Sequence, residues 1–192
     1  MLIGCDFSHW QKDPDPAALK AAGILFIGHK ADEALARPQA DSEYHRRRKL
    51  YQDAGFLWSA YCYLDGVDGI NQADLFLDTV APLDGNTALW LDLEKYANLQ
   101  QAEQFLQRVH DRTGVWCVLY SRFEYIVNEI HATKSQIFKQ CQFMVADPDS
   151  PLFPLVPLPW GSGNWFLWQK GGMVIDGVGV DKDYFNGNSK KS

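Results

Sequence analysis

Two carboxylic acids separated by one apolar residue, Asp92-Leu93-Glu94, follow the apolar run Ala88-Leu89-Trp90-Leu91. If that run is a strand, its period of two places both acids on one face and Leu91 and Leu93 on the other. Their Cα atoms then lie about 6.5 to 7 Å apart, close enough for each charge to oppose ionisation of the other. One carboxyl keeps its proton near neutral pH, as protonation of a glycosidic oxygen requires, while its companion supports the positive charge that develops. With no arginine beside them, two such acids would be costly as mere packing. Asp147, before Pro148, reads instead as a cap or a loop salt bridge.

Elements that could hold such a pair are visible along the chain. Strand candidates are Leu2 to Phe7, Ile24 to Lys30, Phe56 to Tyr63, Ala88 to Leu93 and Val115 to Tyr120, then Gln142 to Ala146, Trp165 to Gln169 and Gly179 to Asp181. Helical spacing appears in Asp15 to Ala22, Asp41 to Ala54, Gln72 to Val80, Gln100 to Arg112 and Phe123 to Ile130. After Cys141 the loops are rich in Pro and Gly and leave no room for helices. A full βα barrel needs about 250 residues. These 192 residues predict an α/β fold of TIM-like type: an irregular, trimmed βα barrel with about eight strands and about five helices. Residues 1–187 would form a single catalytic barrel domain, and 188–192 a polar tail.

Barrel active sites collect at the carboxyl ends of strands. There the chain offers Asp6, Lys30, Tyr61, Tyr63, Asp92, Glu94, Tyr120, Trp168, Gln169 and Asp181. Tyr61, Tyr63, Tyr120, Trp10 and Trp168 are candidates for stacking on sugar faces, with Lys30 and Gln169 completing the expected binding set. His9 and His29 lie near the same rim, with surface or packing roles equally open.

Composition narrows the partners. A net charge of -6 without a broad basic stripe argues against nucleic acid. The one basic run, Arg46 to Lys49, reads as a solvated helix face. Seven Trp and eight Tyr suit flat sugar rings or a Trp-heavy core. Cys5, Cys62, Cys117 and Cys141 lack zinc spacing and are expected as buried thiols. No HExxH, phosphate-loop or GxSxG pattern occurs, and neither a cofactor nor a metal is expected. The chain shows no signal peptide and no run long enough for membrane insertion.

At these residues the sequence resembles the lysozymes of glycoside hydrolase family 25, the Chalaropsis type found among bacterial autolysins and phage endolysins. The matching pieces run in order: Gly4-Cys5-Asp6-Phe7-Ser8 with Gln11, Phe26-Ile27 with Lys30-Ala31, Tyr61, Asp92-Leu93-Glu94, Trp168-Gln169, and Val180-Asp181 to Phe185. The resemblance implies a 1,4-β-N-acetylmuramidase, with Glu94 as catalytic acid, Asp92 as its partner, and Asp6 and Asp181 as further acids of the cleft. It implies peptidoglycan glycan strands as partner, a monomer, and action on the bacterial cell wall. Access would come from the phage or host cytoplasm by assisted release, or from outside with a leader missing. The sequence departs from the family pattern at Cys62, Asp32, Asp183 and the Ala146-Asp147-Pro148 segment. Because the first and last strands of a closed barrel are neighbours, Asp6 and Asp181 should sit side by side. Two other readings stand beside this one: a metal-dependent hydrolase that uses the acidic cluster, and a catalytically silent barrel that binds peptidoglycan or other carbohydrate.

Overall fold

The computed structural model describes residues 1–33, 39–66 and 68–187; the expected tail, 188–192, lies outside them. The elements are β1 (Leu2–Phe7), α1 (Pro16–Ala21), β2 (Ile24–Glu33), β3 (Gln39–Ala40), α2 (Tyr44–Asp53), β4 (Leu57–Tyr63), α3 (Gly69–Val80), β5 (Thr87–Asp92) and α4 (Leu99–Thr113). They continue as β6 (Val118–Arg122), α5 (Phe123–Tyr125, running on as a π-helical turn, Ile126–Ile130), β7 (Phe143–Ala146), β8 (Leu167–Ile175) and β9 (Val178–Phe185).

The sheet order is β1-β9-β8-β7-β6-β5-β4-β2-β3, and β1 also pairs with β2. That last pairing closes eight strands into a barrel and leaves the two-residue β3 outside it. Strands from β1 through β8 pair in parallel around the barrel, whereas β9 is antiparallel to both of its neighbours. Two short final strands were expected; instead β8 and β9 form one long hairpin. Its turn is Asp176-Gly177, with φ of 53° and 72°, the left-handed pair that a two-residue hairpin turn requires.

The helices form for local reasons. In α4 Ala102, Phe105, Leu106 and Val109 are buried along one stripe, as their spacing predicts. The helix starts with a reciprocal cap between Asn98 and Gln101 and stops at Gly114, whose φ of 73° suits glycine.

The strand period divides the apolar residues into two layers. Phe26, Trp90, Val118, Met144 and Leu167 fill the barrel interior, while Phe7, Ile27, Trp58, Leu91, Phe105 and Val145 pack between barrel and helices. The four cysteines are buried free thiols. Gly28 allows the close approach at the centre: a Cβ there would stand 2.5 Å from the Trp90 ring and 3.0 Å from the Asp6 Cβ.

The basic run on α2 is not a uniformly solvated face. Arg46 and Lys49 do stay at the surface, paired with Asp13 and Glu43 and with Asp53. Arg47, however, is only 3% exposed. It donates to the carbonyl oxygens of Ser8 (2.7 Å) and Gln11 (2.6 Å) and to Asp13 (2.7 Å). Arg48 donates to the carbonyls of Val80 and Pro82. A long guanidinium can bury its stem and still reach several acceptors. Hydrophobicity alone does not show that.

Candidate active site

At the carboxyl end of the parallel strands the barrel opens into a cleft of about 250 Å³, lined by Asp6, Tyr61, Trp90, Asp92, Glu94, Tyr120, Arg122, Met144, Gln169 and Asp181. The four acids expected from the sequence therefore converge. Each is placed by strand geometry. Asp92 ends β5, and the chain remains pinned beyond it: Leu64 N donates to Asp92 O, Leu93 N donates to Tyr120 O, and Ser121 Oγ donates to Leu93 O at 2.5 Å. These bonds carry the extended geometry through Leu93, so Glu94 emerges on the same face as Asp92. Asp6 and Asp181 are direct partners in the antiparallel β1–β9 register, side by side as strand order predicted.

A hydrogen-bonded chain fixes the far wall. The Tyr120 hydroxyl donates to Gln169 Oε1 at 2.8 Å, and Gln169 Nε2 donates to Asp6 Oδ2 at 2.9 Å. The amide of Gln169 thus has one orientation, and one Asp6 oxygen is committed. Removing the hydroxyl in Tyr120→Phe deletes one bond, worth about 1 kcal/mol. We expect roughly a fivefold fall in kcat/KM with the fold intact. No change, or a loss as large as that from removing a reacting carboxyl, would contradict this role.

The acids share little charge. Burial pushes the Asp92 carboxyl well above the usual carboxylate range, with the charges of Glu94 and Asp6 adding to it and Lys30 opposing it. One Asp92 oxygen, Oδ1, is buried without a hydrogen-bond partner, which also favours the neutral acid. Asp6 is raised to about 7 by burial and by Asp181, against the hydrogen bond from Gln169. Asp181 is raised by burial and by Glu94. Of the pair, Asp92 is the acid whose charged form burial opposes. Asp92 is the residue that the strand draws into the barrel, and Glu94 is only half-buried.

The expected binding residues divide. Tyr61, Tyr120 and Gln169 line the cleft. Tyr63 is half-buried on the rim, its hydroxyl pushed up to about 12 by burial and by Asp92 and Glu94. Trp10 is 74% exposed at the mouth, with the Lys30 ammonium 5.9 Å from its ring; Lys30 itself is buried and paired with Glu33 at 2.6 Å. Trp168 does not face the cleft. It is buried on the outer side of β8 against Trp165 and Tyr184, and its indole donates to Asp147 O at 2.8 Å. Adjacent strand residues face opposite ways, so Gln169 inside requires Trp168 outside.

Neither histidine lines the cleft. His29 is buried on the helix side, stacked on Trp58. Its Nδ1 donates to Lys30 O at 2.7 Å and its Nε2 accepts from Arg47 at 3.1 Å, because a carbonyl only accepts and a guanidinium only donates. Burial lowers it to about 4, in keeping with that neutral tautomer. His9 binds Asp41 at 2.7 Å. Asp147 anchors its loop, accepting from Leu155 N at 3.0 Å. Trp90, Met144 and Arg122 were not anticipated, although Arg122 stands two residues after Tyr120 and so shares its face.

Among the described residues no group of three or more His, Cys, Asp or Glu side chains is arranged to hold a metal ion. Nor is any helix among them long and apolar enough to cross a membrane.

Comparison with known proteins agrees with this geometry. The family model described as glycosyl hydrolases family 25 matches residues 5–170. Among solved structures, a bacterial lysozyme from Streptomyces coelicolor is similar at a TM-score of 0.84 and 26% identity, covering 97% of this chain and 92% of that one. A muramidase from Acremonium alcalophilum gives 0.84 and 26%, covering 98% and 95%. A family GH25 lysozyme from Aspergillus fumigatus gives 0.83 and 24%, covering 97% and 94%. No curated protein sequence matches the chain.

Proposed function

The chain belongs to glycosyl hydrolases family 25 and is a glycosidase of the muramidase type, and we propose that Glu94 is its general acid, with Asp92 as partner carboxylate. The bond cut is the β-1,4 linkage between N-acetylmuramic acid and N-acetylglucosamine in bacterial peptidoglycan. The observation that carries the assignment of roles is the convergence of Asp6, Asp92, Glu94 and Asp181 on one open cleft, with Asp92 the more deeply buried of the inner pair and Glu94 the more open to substrate.

In this reading a bound glycan strand covers Glu94, strips its water and brings the glycosidic oxygen to it. The proton shared by the coupled Asp92–Glu94 pair moves to Glu94 and from there to the leaving oxygen as the sugar C1–O bond breaks. Positive charge then develops at C1 and is met by Asp92, which becomes anionic as its proton leaves, with Asp6 and Asp181 beside it. The substrate's own acetamide oxygen can close on C1 before water replaces it, Glu94 taking the proton from that water. Tyr61 and Tyr120 offer ring faces to the sugars, and Tyr63 and Trp10 extend that surface to the rim. We further propose that residues 1–187 act as one catalytic unit, as a monomer on the cell wall; the complete cleft is built from one chain.

The direct experiment is incubation with purified cell walls, measuring reducing ends and identifying the fragments by mass spectrometry. Fragments ending in reducing N-acetylmuramic acid are expected; binding without cleavage over long incubation would refute the enzyme reading. The same assay with EDTA is expected to show an unchanged rate, since the proposed chemistry runs on carboxylates and water alone. Loss of activity restored by magnesium or manganese would instead support the metal-dependent alternative.

A further inference from the structure

Beneath Asp6 lies a fifth acid that the mechanism above does not use. Asp183 is opposite Gly4 on β1 and opposite Gln169 on β8, two residues further along β9 than Asp181. The strand period therefore turns it into the barrel, on the same face as Asp6 and Asp181. It is fully buried, and neither carboxyl oxygen finds a donor in the surrounding protein. The polar side chain set against it on the same face of β1 is another carboxyl, that of Asp6, two residues beyond its register partner Gly4.

Two carboxylates cannot hold each other; a proton must lie between them. We propose that Asp183 is a positioning residue whose protonated carboxyl donates a hydrogen bond to Asp6, holding Asp6 toward Gln169 and the cleft, and that loss of this proton disables the site at higher pH. The mechanistic half of this proposal rests on the muramidase reading; the proton itself does not.

The surroundings support it. The titratable groups on the same face as Asp183 are Asp6 on β1 and Asp181 on its own strand, with Cys5 on the opposite side of β1, and its β8 partner Gln169 is neutral. No cation among the described residues offsets a charge there. Burial first, then Asp6 and Asp181, push Asp183 well above the usual carboxylate range, while its hydrogen bond lowers Asp6. With Asp6 already tied to Gln169, the pair forms the chain Tyr120, Gln169, Asp6, Asp183, in which each member donates to or accepts from the next.

The test is Asp183→Asn, which is nearly isosteric and keeps an N–H donor toward Asp6 but carries no titratable proton. Activity on cell walls at acidic pH is expected to stay within about twofold of the parent, with the alkaline limb of the pH–rate profile moved up by about one unit or more. Asp183→Leu, which fills the space without a donor, should lose activity at every pH. An unchanged profile in a folded Asp183→Asn protein would overturn the proposal.

A second readout does not need activity. Because the folded-state value of Asp183 is raised, the parent loses stability as pH climbs from the unfolded value of about 3.9. The Asp183→Asn protein should therefore gain melting temperature relative to the parent as pH rises from 4 to 8. If that gain appears but neither protein cleaves cell walls, the muramidase reading has failed and the buried proton stands. If the gain is absent, the proton is not there, whatever the activity.

Discussion

Replacing Glu94 with Gln is expected to leave a folded protein whose release of reducing ends from cell walls falls roughly 10²- to 10⁴-fold, the share that a positioned general acid supplies. Folding should survive because Glu94 is half-buried and lines the open cleft, outside the packed core. Asp92→Asn discriminates between the members of the pair. Asparagine retains an N–H donor at that depth but can neither store a transferable proton nor carry negative charge. It should depress kcat while glycan binding persists. If Glu94→Gln kept most of its rate while Asp92→Asn lost nearly all, the two roles would have to be exchanged.

That comparison matters because alternation locates the pair without ranking the burial of its two members. Alternation along β5 was enough to put Asp92 and Glu94 on one face, since it depends only on the strand period. Which acid is the more desolvated depends on where the strand ends relative to the barrel mouth, and single-residue boundaries are not encoded by periodicity. Asp6 and Asp181 were legible in another way: closure makes the first and last strands neighbours, and their register then brought the two acids opposite each other.

The same alternation exposes a misreading. Trp168 and Gln169 were both assigned to the cleft, yet adjacent residues of a strand cannot share a face. Trp168 packs in the outer layer, where its indole N–H still reaches the Asp147 carbonyl. Applied from Tyr120, the rule would have found Arg122. The β8–β9 hairpin is signalled by Asp176-Gly177, a turn that belongs to antiparallel strands and has no place in a succession of parallel βα units.

Arg47 lay beyond sequence reasoning because its acceptors are backbone carbonyls in a loop more than thirty residues away. A guanidinium within a run of four cations resembles solvated charge until tertiary structure supplies those partners. Its burial makes it the position where one substitution should cost the fold most. Arg47→Leu would leave the Gln11 carbonyl without its guanidinium donor, leave the Ser8 carbonyl with the Gln11 N–H, and remove the buried partner of Asp13 and of His29 Nε2. Breaking such a buried polar network costs about 3–5 kcal/mol, which for a chain of this size corresponds to roughly 10 °C in melting temperature. Arg47→Lys keeps the charge but lacks the planar fork, and should fall between the two. Since the loop held by Arg47 directly continues β1 beyond Asp6, the leucine variant should also lose activity below its melting point, by displacing Asp6 from Gln169. A stability loss under about 1 kcal/mol in denaturant titration would mean that these hydrogen bonds are replaceable by water and that α2 does not anchor the acid wall.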